Sequence, residues 1–178
     1  MDYFMLQKTP YPIYEIDLAK LDRAADILQI MKHASVRKYV YTFSYLDNII
    51  KHGISGDLKS NPGDRIYRQA GHLDGWKSRL YGPCGADMIC INADYFAKTG
   101  EHLNRLGMKI KIYDLTNVES PSVADPMFHV KQLERQLIKE YFDEHNCLPI
   151  GNIKDEAYVD NKAYVSKEQF GAIFSFGE

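Results

Sequence analysis

The chain is 178 residues long, 45% hydrophobic and 26% charged, with a formal net charge of -2. That is enough chain for one domain with a full core. It carries too little positive charge to bind nucleic acid over its whole surface, so any phosphate-binding region has to be gathered locally.

No run of about 18 apolar residues is present to span a membrane, and the stretch from Met1 to Asp17 lacks the basic and apolar blocks of a signal peptide. Cys84, Cys90 and Cys147 form an odd set without metal-ligand spacing. They read as reduced thiols of a cytoplasmic protein.

Residues 1–16 are rich in Tyr and Pro and read as an extended surface arm. Asp17 to His33 predicts a helix, because Leu18, Leu21, Ala25 and Leu28 recur at three and four and Asp17 can cap the start. Two apolar runs, Lys38 to Ser44 and Asn48 to Ser55, flank Tyr45-Leu46-Asp47 and predict a β-hairpin whose second strand ends at Gly53. Pro62 suits the first turn of a helix running to Ala70, with Gly71 as its stop. Leu73 to Met88 holds three glycines and a proline and reads mostly as loop, with Trp76 as a packing anchor rather than a base-contacting wedge.

Asn92 to Leu106 predicts a second helix ended by Gly107, and Met108 to Leu115 alternates as a third strand. After a Ser/Pro loop, Pro126 to His145 predicts a long helix with Val130, Leu133, Leu137 and Ile138 on its buried stripe, ended by Asn146 and Pro149. Tyr158-Val159 and Ala163 to Val165 suggest a last hairpin. The expectation is a single α+β domain with a small, mainly antiparallel three-stranded sheet flanked by helices. An N-terminal arm and helix (1–35) precede a core (36–152), and a C-terminal extension (153–178) follows.

The chemistry-bearing residues gather between Tyr39 and His72, with one outlier. Tyr39, Tyr41 and Lys51 lie on the hairpin, Arg65 and Arg68 on the helix after it, His72 just beyond, and Glu134 on the long late helix. Each alone is ordinary: a packed strand tyrosine, a solvated strand lysine, a helix-surface glutamate. His129, His145 and Cys147 make no zinc pattern.

The ordered set resembles the GIY-YIG nuclease family over roughly Tyr39 to Asn152. Tyr39-Val40-Tyr41 is similar to the first family motif without its glycine. Lys51-His52-Gly53 is similar to the second, with lysine in place of tyrosine, as in some small GIY-YIG restriction endonucleases. Gly63-Asp64-Arg65-Ile66 resembles the helix that carries the family arginine, and Arg68 followed by His72 fits that role as well. Glu134 and the segment through Asn152 resemble the metal-binding helix and its closing segment.

The resemblance implies a metal-dependent endonuclease acting on double-stranded DNA. Glu134 would hold Mg²⁺ (or Mn²⁺), an ion that takes few protein carboxylates. Arg65 or Arg68 would fork onto phosphate oxygens, and Tyr41 would take a proton from water. Lys51 would favour the phenolate by opposite charge, His72 would assist proton transfer, and Tyr39 and Asn152 would contact substrate. Palindromic cutting would call for a homodimer. The alternatives are a catalytically inactive nucleic-acid-binding module on the same fold and a protein-interaction domain using the thirteen tyrosines.

Overall fold

The computed structural model describes residues 4–8, 11–56, 61–76 and 86–152. Among these, five strands form one antiparallel sheet in the order β1-β2-β5-β3-β4. They are β1 (Phe4–Lys8), β2 (Pro12–Asp17), β3 (Lys38–Tyr45), β4 (Asn48–Gly56) and β5 (Met108–Asp114). Four α-helices accompany them: α1 (Asp26–His33), α2 (Asp64–Ala70), α3 (Ala86–Thr99) and α4 (Phe128–His145). The α+β class agrees with the sequence reading, but the three-stranded sheet is corrected.

The two extra strands come from the segment read as a surface arm. β2 sets its one buried residue, Ile16, against Ile110 of β5, which gives β5 a second hydrogen-bonded neighbour. The helix expected over 17–33 is also shorter. Asp17 does cap, accepting from the Ala19 N–H at 3.0 Å, but it starts only the 3₁₀ turn Leu18–Lys20. The α-helix itself begins at Asp26.

α3 starts before Asn92 and ends at Thr99, where Gly100 takes φ 74°. Asn92 lies buried within it and accepts from the Leu103 N–H at 2.7 Å, so it ties the helix to the chain that follows rather than starting it. α4 ends as expected, with Asn146 at φ 54°. Trp76 is a packing residue: its indole N–H donates to Ala70 O at 2.9 Å, and the Arg105 guanidinium sits 4.9 Å from its ring. The suggested hairpin near 158–165 lies outside the described residues. Among those described, no helix is long and apolar enough to cross a membrane.

The sheet has two differently built faces. Tyr39, Tyr41, Phe43 and Tyr45 of β3 project to one side and pack with Ile110 and Ile112 under α1, α2 and α3. Val40 projects to the other and packs with Val130 and Leu133 of α4. β3 is central and hydrogen-bonded on both flanks, whereas β4 is an edge strand.

Candidate active site

The hairpin sets the site. Leu46 and Asp47 both take positive φ, 49° and 66°, which is the twist a two-residue hairpin turn needs. From Tyr45↔Asn48 and Ser44↔Ile49 the register then shifts, so that Phe43 faces Lys51, Thr42 faces His52 and Tyr41 faces Gly53. Ile50 is the extra residue of a β-bulge. An unbulged hairpin from the same turn would set Lys51 opposite Thr42, on the α4 side. The bulge moves Lys51 to the tyrosine side, because a one-residue offset exchanges the faces of every side chain beyond it. Tyr41 and Lys51 become diagonal neighbours on one face, not the directly opposed pair that a turn centred on Leu46 suggests.

Gly53 explains itself here. A Cβ on it would overlap the Tyr41 ring, with Cε2 only 2.8 Å away, so the phenol lies flat across the glycine. Tyr41 is fully buried between Tyr39 and Phe43, whose ring centroids lie 6.3 and 5.6 Å from its own. Among the described residues its Oη has no hydrogen-bond partner. Lys51 is 6% exposed, and the Gly151 backbone covers its stem; a Cβ on Gly151 would come within 2.6 Å of Lys51 Cβ.

α2 lies over the same face and carries the candidate arginines. Gly63 precedes it at φ 81°, packed so closely on α1 that a Cβ would come within 2.7 Å of Met31 Cγ. Arg65 is exposed in the first turn. Arg68 pairs with Asp64 at 2.8 Å one turn back, an exposed pairing of small energetic worth. His72 is buried just past the helix. Gln69, which the motif reading passed over, is also buried, and among the described residues its Oε1 is unpartnered.

Glu134 is 9% exposed and lies on α4, whose neighbouring residues Val130 and Leu133 pack on the opposite face of the sheet. The hairpin phenol and the glutamate helix therefore approach from different layers. The route between those layers runs round the β4 edge, where the 3₁₀ turn Ile150–Asn152 is seated. Asn152 does not face outward as a substrate contact. Its Oδ1 accepts the His52 N–H and its Nδ2 donates to His52 O, both at 2.8 Å, so the side chain acts as a short extra rung on the edge strand.

On the α4 side a small polar pair lies under the helix. His52 Nδ1 and Thr42 Oγ1 lie 2.8 Å apart, and the Tyr113 side chain shares that face of the sheet. Burial first, and then the Lys111 charge, push the His52 imidazole down to about 4. His52 is therefore neutral at physiological pH, and among the described residues its Nε2 has no partner. Sequence reasoning missed Thr42, His52 and Gln69. The available signal was polar residues at strand and helix positions that otherwise read as apolar.

Among the described residues no group of three His, Cys, Asp or Glu side chains is gathered for a metal. Mg²⁺ bound to a nucleic-acid phosphate takes one or two carboxylates, and the buried carboxylate of Glu134 suits that mode. Comparison with models of known protein families, with curated proteins and with solved structures found no match.

Proposed function

We propose that the chain is a Mg²⁺-dependent endodeoxyribonuclease that hydrolyses phosphodiester bonds in duplex DNA in the manner of a small restriction enzyme. The observation that carries this reading is the bulged register, which gives Lys51 and Tyr41 one face with Gly53 beneath the phenol. α2, with its two arginines, covers that same face.

In this reading Tyr41 acts as the general base and Lys51 is the cation on its face of the hairpin. The Tyr41 oxygen accepts a proton as water attacks phosphorus. The bond from phosphorus to the leaving oxygen then breaks, and His72 acts as the general acid that supplies the proton that oxygen needs. Arg65 or Arg68 neutralises the non-bridging oxygens, where charge develops. Glu134 would hold Mg²⁺, which supplies Lewis-acid relief of the phosphate charge. A palindromic target implies a homodimer with matching two-fold symmetry.

The test is a cleavage assay on plasmid DNA with Mg²⁺ or Mn²⁺ and mapped ends. Wild type is expected to cut, and Glu134→Ala to lose about 100-fold or more of the rate. Intact plasmid across a broad panel of sequences and methylation states would sink the proposal.

The complete burial of Tyr41 and the placement of α4 on the other face favour a second reading, a DNA-binding module without catalysis. It is separated by the same samples: salt-dependent binding without cutting, unchanged by Glu134→Ala, supports the second reading over the first.

A further inference from the structure

The hairpin is bulged, and pairing the same turn without the bulge would define a second register, one residue away, that differs in where Lys51 goes. In the bulged register it shares Tyr41's face; with the bulge closed it would sit opposite Thr42, under α4. Closing the bulge would also bring His52 opposite Tyr41 and move Gly53 from beneath the phenol ring. Something beyond the bulge has to decide between the two.

The structure offers a device at the rung between Lys51 and Gly53. The N–H and C=O of His52 both point outward to Asn152. Thr42 and His52 are therefore a non-hydrogen-bonded pair, in which the backbones exchange no bond and the side chains come closest. At that rung the two strands are joined by Thr42 Oγ1 and His52 Nδ1, 2.8 Å apart. The bond forms only when residue 52, and not residue 51, faces Thr42. Asn152 reads the same register from outside, and Gly151, the residue before it, closes over Lys51. Of the two candidate partners for Thr42, only the histidine is neutral and able to accept a proton in a buried site.

We propose that Thr42, His52 and Asn152 form a register clamp that selects the bulged pairing of β4 and so holds Lys51 on the face of Tyr41. His52 is a positioning residue, and the inference rests on the nuclease reading only for its activity readout. The clamp explains why polar side chains occupy the buried rung between the two motif residues, where an apolar pair would pack without having to be satisfied.

The experiment compares wild type, Thr42→Val, which removes the hydroxyl at nearly constant shape, and Thr42→Ser, which keeps it. Two readouts are taken on each. The first is the cross-strand Hα–Hα NOE, which for a non-hydrogen-bonded pair reports register directly. Wild type and Thr42→Ser are expected to show Thr42–His52, whereas Thr42→Val shows a weakened signal and a new contact from residue 42 to Lys51.

The second readout is DNA cleavage. Thr42→Val is expected to lower kcat about 100-fold, the scale of a misplaced catalytic group. KM should stay within about twofold, and Thr42→Ser should restore kcat. If wild type does not cut, the nuclease reading falls and the NOE pattern alone judges the clamp. An unchanged Thr42–His52 contact in Thr42→Val overturns the clamp whatever the cleavage result. So does a kcat loss that Thr42→Ser fails to restore. Should Thr42→Val not fold, Asn152→Ala, on the outer edge, carries the same two readouts with the same expected outcomes.

Discussion

The two faces of β3 handle buried polarity differently. Under α4, Thr42 Oγ1 and His52 Nδ1 hydrogen-bond each other across the two strands. Under α1 to α3, the Tyr41 hydroxyl and the Gln69 amide oxygen are left without partners among the described residues. A buried polar group left unpaired costs about 1–3 kcal/mol. His52 Nε2 on the α4 face bears such a cost too, but the face with the Tyr41 hydroxyl and Gln69 is the one that also holds Lys51 and is covered by the arginine-bearing helix. In the proposed reading, the Thr42–His52 pair serves the register and the opposite face carries the groups that act on substrate.

Acid distinguishes the faces most strongly. His52 binds its proton less readily folded than unfolded, since burial pushes it from 6.5 to about 4. Between those values the unfolded chain holds more protons, so stability is present above pH 6.5 and is lost as the pH falls toward 4. The expected loss is about 3 kcal/mol. Denaturant melts across that range should show it, and His52→Gln should flatten the profile. A wild-type profile as flat as the variant's would mean that His52 is not the titrating group.

Gly53→Ala challenges the other face, since the new methyl meets the Tyr41 ring between backbone and core. A loss of about 2–3 kcal/mol is expected by equilibrium unfolding. A neutral result would place the ring elsewhere.

The smallest change sharpens the contrast most directly. Tyr41→Phe removes a buried, unpartnered hydroxyl and should leave stability unchanged or raise it by about 1 kcal/mol, whereas Tyr113→Phe removes one that is not so stranded and should cost up to about 1 kcal/mol. If the chain cuts DNA as proposed, the order reverses in cleavage assays: Tyr41→Phe is expected to be inactive and Tyr113→Phe to retain activity. Equal and opposite behaviour of the two phenols would support a division of labour between the faces; parallel behaviour would remove it.

Much of the architecture was legible because its causes are local. The alternation of Met108 to Leu115, the stripe through Val130 and Leu133, and Asn146 as a left-handed helix end are properties of short stretches. β2 was not legible, because its strand character depends on β5, about a hundred residues away. The same holds within the site. Tyr41, Lys51 and Gly53 stood out by residue type and order, but their faces depend on a bulge at Ile50 that no local pattern announces. Asn152 was read as a substrate contact and is a backbone staple on His52, a pairing across 100 positions. Glu134 was placed on the right helix, and the layer that helix occupies follows from packing against Val40 and Ile54.

The hairpin tip has a separate consequence. Leu46 and Asp47 occupy left-handed conformations that glycine or asparagine adopts with less strain, and the Leu46 side chain is 54% exposed, far from the site. An Asn-Gly tip should therefore yield a sturdier parent protein, in which damaging substitutions deeper in the hairpin can be studied while the fold survives.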